Sequence, residues 1–200
     1  SIYDAAANAA ATSQSNNTDM LVDRLAPTIA STSINTANTE LTVTFSEGVY
    51  DTTGGTGDLE ATDFALSIVG GVAILGSPTP TSITKISQSV WVLEFSTSGT
   101  ANGSETITVV PASSTSIYDA AANAAATSQS NNTALLVDRV APTVTLTGPS
   151  GNVTTAFTVT ATFSEAVTGF ALDDITVANG TISSLVTGNA PVYTLSLIHI

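Results

Sequence analysis

The sequence predicts an all-β chain, a tandem array of antiparallel β-sandwich modules of about seven strands each. Three observations carry this expectation. Short segments alternate apolar and polar residues with period two, as half-buried strands require. Turn signals separate them: Gly54-Gly55, Gly70-Gly71, Asn102-Gly103 and Asn179-Gly180. One long segment also recurs, since residues 1–28 read SIYDAAANAAATSQSNNTDMLVDRLAPT and residues 116–143 read SIYDAAANAAATSQSNNTALLVDRVAPT. Only Asp19/Ala134, Met20/Leu135 and Leu25/Val140 differ, at an offset of 115 residues. Self-similarity at a period of domain size marks folded modules joined in series.

The period divides the chain into the tail of one module (1–23), a complete module (24–138) and the first part of a third (139–194). In the complete module strands are expected at 28–34, at 40–46 (ELTVTFS) and at 64–69. Further strands follow at 72–87 with an internal break, at 90–95 (VWVLEF), at 105–110 (ETITVV) and at 133–137. Pro78 and Pro80 produce the break, because proline cannot donate to a ladder and is confined to edges and bulges. In the third module 181–186 passes straight to 192–196, so the residues around Pro78 read as an insertion. The run DAAANAAA contains good helix formers, but about eight residues do not sustain an isolated helix. It is read as part of a long connection between the sixth and seventh strands. Trp91, in a central strand among Val90, Val92 and Leu93, is expected in the core. Gly54-Gly55-Thr56-Gly57 is a flexible loop rather than a phosphate cradle, since no Lys or helix follows it.

Composition narrows the function classes. Three basic residues face sixteen acidic ones, for a formal charge of −13 and a pI near 4.1. Nucleic acid and anionic membrane both require clustered Lys and Arg, so neither is an expected partner. The apolar fraction of 42% is enough for a core, unlike that of an acidic disordered tail. There is no cysteine, which removes disulfides as a source of stability. No apolar run approaches the roughly 18 residues of a membrane span. The last six residues, LSLIHI at 195–200, are the translation of CTGTCTCTTATACACATC, which looks like a transposon adaptor used in library preparation. They are read as adaptor-derived, so the one histidine, His199, carries no functional weight.

Three motifs point to a family. The linker Val-Asp-Arg-x-Ala-Pro-Thr occurs at 22–28 and 137–143, and the strand ending Thr-Phe-Ser-Glu-x-Val at 44–49 and 162–167. A Tyr-Asp-Ala-Ala-x-Asn loop occurs at 3–8 and 118–123. In this order and period they resemble the bacterial Ig-like domains repeated in large cell-surface adhesins and biofilm-associated proteins. The resemblance covers essentially all of the chain before Leu195. It implies Ig-like sandwiches and an extracellular, non-catalytic building block at the bacterial surface. One departure stands out: the family loop reads Asp-x-Ala-Gly-Asn, whereas Ala7 and Ala122 occupy the glycine position here. Alanine resists a positive φ, so another loop shape is expected, which weakens a ligand role for Asn123.

Strand parity places the acids. Seven alternating strands put the second-to-third and sixth-to-seventh connections at the same pole, beside the incoming linker. The first connection carries Glu47, Asp51, Asp58, Glu60 and Asp63; the second carries Asp119 and Asn123; the linker supplies Asp23. Converging carboxylates repel unless a cation joins them. Oxygen ligands without Cys or a usable His suit Ca²⁺ rather than zinc or copper. The expected metal ligands are Glu47, Asp63 and Asp119, followed by Asp23, Asn123 and Asp51. The counterparts in the third module are Asp138, Glu165 and Asp174. A joint ion would fix the angle between neighbours; the alternative is that the acids simply solvate loops. Arg24 and Arg139 follow the linker Asp directly and read as exposed surface charges. Pro27 and Pro142 hold the preceding alanines extended, which limits hinge freedom without a metal.

The function expected is therefore a structural or spacer module of a repetitive extracellular adhesin, with adjacent modules as its partners. A receptor or glycan would be met by other domains. The alternative is an accessory Ig-like or carbohydrate-binding module of a secreted hydrolase, which a row of exposed aromatics would support. An enzyme is not expected, because the sequence offers no Ser/His pairing, no Cys nucleophile and no marked acid/base carboxylate pair.

Overall fold

The computed structural model describes residues 2–11 and 21–199. It divides into two compact units, Ser1–Arg139 and Val140–Ile200. In the first unit one sheet has the order β1-β2-β6-β5, from β1 (Ile29–Ile34), β2 (Glu40–Phe45), β5 (Ser82–Ser87) and β6 (Val90–Glu94). A second sheet has the order β3-β8-β9, from β3 (Phe64–Val69), β8 (Thr106–Pro111) and β9 (Thr133–Leu135). A short ribbon pairs β4 (Ile74–Leu75) with β7 (Thr97–Ser98). Every pairing is antiparallel.

Period-two alternation decides which side chains meet. β2 turns Leu41, Val43 and Phe45 inward and β6 turns Trp91 and Leu93 inward, with Val43 opposite Trp91 and Leu41 opposite Leu93. From the facing sheet come Phe64 and Leu66 of β3 and Ile107 and Val109 of β8. All belong to one buried cluster, so the two sheets form a sandwich around it. Each such side chain contributes about 1.5–3 kcal/mol on removal from water. Trp91 lies in this core as expected, and its Nε1 donates to the Gln88 carbonyl at 3.3 Å.

The expected strands are found, with informative differences. The break in the fourth strand is a change of sheet: β4 pairs with β7, while β5 pairs with β6. Between them the Pro78 carbonyl accepts the Leu66 N–H at 2.6 Å, so the proline segment crosses to β3. β7 is two residues long, too short to show a period. The seventh strand ends at Leu135 rather than 137, because Val137 pairs with a side chain instead. Asn38 Nδ2 donates to the Val137 carbonyl at 2.7 Å, and the Val137 N–H donates to Asn38 Oδ1 at 2.8 Å. The DAAANAAA segment is not helical; Tyr118 and Ala124 form an isolated antiparallel bridge across it.

The second unit holds one sheet in the order β10-β11-β13-β12, from β10 (Val144–Thr147), β11 (Phe157–Phe163), β12 (Gly180–Asn189) and β13 (Val192–His199). β12 runs on where the first unit inserts its ribbon and proline segment. Phe163, Phe170 and Tyr193 pack edge to face with centroids 5.0–5.6 Å apart, beside buried Leu195 and Leu197. Residues 195–199 of the segment read as adaptor-derived thus form the later part of β13, paired with both β11 and β12.

Candidate cation site

Three pieces of the first unit meet at the pole where the chain enters it. Thr28 donates its N–H to Ser46 Oγ at 3.0 Å, and the Ser46 N–H donates to the Thr28 carbonyl at 2.8 Å. Just beyond, Tyr50 and Tyr118 exchange backbone N–H and carbonyl in both directions at 2.8 Å. These bonds tie the incoming linker, the end of β2 and the loop before β9 together. As a result Asp23, Glu47 and Asp119 converge, one carboxylate oxygen from each lying within 4.8 Å of the others.

Asp119 is the fixed member. It is fully buried, and its Oδ1 accepts the N–H groups of Ala121 at 2.9 Å and Asn123 at 2.7 Å. Its Oδ2 accepts Asn123 Nδ2 at 2.7 Å. The turn that permits this needs a left-handed residue, and Ala122 supplies it at φ 72°. The alternative loop shape expected from alanine is therefore corrected: Ala122, and Ala7 at φ 65°, adopt the conformation glycine would take. The loop's own hydrogen bonds outweigh the roughly 1–2 kcal/mol that αL costs a residue with a Cβ. Asn123 braces the site through its amide, which also donates to the carbonyls of Asp23 at 3.2 Å and Leu25 at 3.4 Å.

Burial pushes the Glu47 carboxyl above its ordinary range, and the charges of Asp119 and then Asp23 push it further. Among the described residues no ion pair joins a basic side chain to this trio. Lys85 pairs with Asp58 and lies 5.5 Å from the centroid of the Trp91 ring, while Arg139 Nη1 donates to the Thr36 carbonyl at 2.8 Å. The donor set is three carboxylates with no sulfur or imidazole, which fits a hard divalent cation completed by carbonyls and water.

The other expected acids are not members of this 4.8 Å group. Asp63 Oδ2 accepts the Glu60 N–H at 2.7 Å and closes the single 3-10 turn Ala61–Asp63. Burial raises its carboxyl pKa, opposed by that hydrogen bond and supported by the charges of Asp51 and Glu60. Asp51 is half-buried, with Oδ1 enclosed and unpaired against Gly57, where a Cβ would come within 1.7 Å of it. Asp174 repeats the Asp63 role, accepting the Ala171 N–H at 2.9 Å in the turn Leu172–Asp174. Glu165 is half-buried after β11 in the second unit, and Asp138 lies in the first unit within 3.3 Å of where a Gly103 Cβ would stand.

One acid that sequence reasoning treated only as a strand residue proves structural. Glu105 is fully buried and accepts the N–H groups of Val72 at 2.8 Å, Ala73 at 3.0 Å and Asn102 at 3.0 Å. Burial disfavours its charge, yet these bonds win and hold its pKa down at about 2. Gly70-Gly71 is the one signal that could have found it, since a Cβ on Gly71 would fall 2.1 Å from the Glu105 carboxyl carbon.

No curated protein and no solved structure matches the chain significantly. No helix among the described residues is long and apolar enough to cross a membrane. The linker-to-strand bond pair recurs in the second unit, where Thr143 N–H donates to Ser164 Oγ at 2.9 Å and Ser164 N–H to the Thr143 carbonyl at 2.8 Å. The same unit repeats the capped 3-10 turn and the antiparallel strand order of the first. Residues 138–197, which contain these features, match a family model described as a bacterial Ig-like domain.

Proposed function

We propose that this chain is a non-catalytic stretch of a repetitive extracellular bacterial adhesin, whose modules act as spacers stiffened by Ca²⁺ at their junctions. The observation that carries the reading is the convergence of linker Asp23 on Glu47 and Asp119 of the module it enters. An ion held there ties the linker to the module body, and the residues come from motifs that recur along the chain. Supporting it are the formal charge of −13, which keeps neighbouring chains apart, and the family match of residues 138–197.

The test is thermal melting of the whole chain in excess chelator and in about 10 mM Ca²⁺. Extracellular calcium sites of roughly 10⁻⁴–10⁻³ M affinity stabilise by about 1–3 kcal/mol at that concentration. The shift should vanish in Glu47→Gln. An unchanged midpoint in the wild-type chain removes the ion from the reading. The adhesin context is tested separately by the full reading frame: an export signal with further modules supports it, and an adjoining catalytic domain overturns it.

A further inference from the structure

The turn at Asn102-Gly103 holds a reactive pair of atoms outside the cation site. An asparagine Cγ is an electrophilic carbonyl carbon, and the nucleophile nearest to it is the backbone nitrogen of the next residue. Folded chains keep the two from reacting by hydrogen-bonding that nitrogen, by shielding it with a side chain, or by excluding water. Asn102 is the only asparagine of residues 1–139 that glycine follows.

None of those three protections operates here. Gly103 stands at φ 77° with no Cβ to shield its nitrogen, and its N–H has no hydrogen-bond partner among the described residues. The Ser104 N–H donates to Asn102 Oδ1 at 3.1 Å, so it faces the atom on which negative charge develops when a nucleophile adds to Cγ. Asn102 is exposed, which lets water in and ammonia out. Its own N–H is held by Glu105 Oε2 at 3.0 Å, which fixes the residue at the mouth of the turn.

We propose that Asn102 is a site of self-modification, converted by Gly103 to aspartate and isoaspartate in the folded chain. The Gly103 nitrogen bonds to Asn102 Cγ and gives up its proton; the Cγ–Nδ2 bond breaks and ammonia leaves, closing a succinimide ring. Water then opens the ring. Cleavage between Cγ and the Gly103 nitrogen gives aspartate. Cleavage between the Asn102 backbone carbonyl carbon and that nitrogen gives isoaspartate, whose main chain is longer by one methylene. The net change is one water consumed and one ammonia released, with no oxidant, enzyme or cation.

The product falls where the outgoing linker is held. A Cβ on Gly103 would lie 3.3 Å from Asp138 Cβ, and the Ala101 carbonyl accepts the Arg139 N–H at 2.9 Å. Glu105, fully buried, lies on the other side of the turn. A new carboxylate at Asn102 meets like charge from both acids, and an added methylene displaces Gly103 from Asp138. Conversion therefore loosens the hold on Arg139, turning a pinned linker into a freer one as the protein ages. It needs no cation and is independent of the calcium reading.

Ageing the full chain in mildly alkaline buffer with chelator, followed by peptide mapping in a mass spectrometer, tests this. Asn102 should gain the mass of an amide-to-acid exchange roughly tenfold faster than any other asparagine of residues 1–139, since it alone has glycine next. Its rate in the folded chain should equal or exceed that of the same chain held in urea. A fold that protects Asn102, or conversion led by another asparagine of that stretch, overturns the proposal. These measurements use the unaltered protein, so misfolding of a variant cannot confuse them. Hydrogen exchange at the Arg139 amide should be faster in the aged chain than in the fresh one, and Asn102→Gln aged alike should show no such change. Unchanged Arg139 exchange in converted chains overturns the loosening, as does equal acceleration in the aged Asn102→Gln chain.

Discussion

Thr28 and Ser46 hold each other by two hydrogen bonds, the Thr28 N–H to Ser46 Oγ at 3.0 Å and the Ser46 N–H to the Thr28 carbonyl at 2.8 Å. Thr143 and Ser164 repeat the pair in the second unit. This explains why the linker ending in Ala-Pro-Thr and the strand ending in Phe-Ser-Glu travel together: each supplies half of the bond pair. The Ser also sets the position of the next residue, Glu47, against Asp23. Ser46→Ala should therefore lower stability by about 0.5–1.5 kcal/mol, the value of one net hydrogen bond. Urea midpoints at constant slope measure it, and Ser46→Thr, which retains the hydroxyl, should restore most of the loss.

Ala122 offers a gain rather than a loss. It stands at φ 72° because Asp119 and Asn123 close the loop around it, so its Cβ is borne as strain. Ala122→Gly removes about 1–2 kcal/mol of αL cost but adds about 0.5–1 kcal/mol of unfolded-chain entropy. A net stabilisation of about 0.5–1 kcal/mol is expected, read as a higher urea midpoint. No change or a loss would show that the loop does not strain the alanine.

Much of this architecture was legible because period two is a strong signal. β2 and β6 could be placed from ELTVTF and VWVLE alone, and strand parity brought Glu47 and Asp119 to one pole. Asp63 was not separable from them by sequence, since parity fixes which end of the sandwich a loop occupies but not its path within that end. Its carboxylate closes a local turn instead. β7 was hidden because two residues carry no period. The end of β9 was hidden because Asn38, from another hairpin, takes the place of a strand at Val137.

That Asn38 bond pair makes a sharp prediction. Asn38 is 4% exposed, stands at φ 58°, and satisfies both backbone groups of Val137. Asn38→Ala leaves both groups without that partner and puts an alanine in αL. A loss of about 2–4 kcal/mol follows from the sum of these costs. Hydrogen exchange at the Val137 amide should accelerate more than at the β2 amides. Equal acceleration at both would mean that Asn38 supports the whole sandwich rather than the outgoing linker.

The pH dependence of stability should have two limbs of opposite sign, because Glu105 is shifted down while Glu47 and Asp63 are shifted up. Glu105 is held down at about 2 from an ordinary 4.5, so the unfolded chain binds its proton more readily than the folded one. Its contribution is fully present above pH 4.5 and is lost as pH falls toward about 2. Glu47 is raised above 4.5 by burial and by Asp119 and Asp23, so here the folded chain binds the proton more readily. Asp63 is raised above 3.8, mainly by burial. Their ionisation costs stability, which should therefore rise as pH falls from neutral through the raised values, before the Glu105 limb turns it down. Urea midpoints between neutral pH and pH 2 in chelator should show this maximum. Glu47→Gln should flatten the upper limb and leave the lower one in place. Glu105→Gln should do the reverse, at a lower stability throughout, because an amide nitrogen would then face backbone N–H donors. A lower limb that persists unchanged in a folded Glu105→Gln chain would show that other carboxylates carry the acid loss.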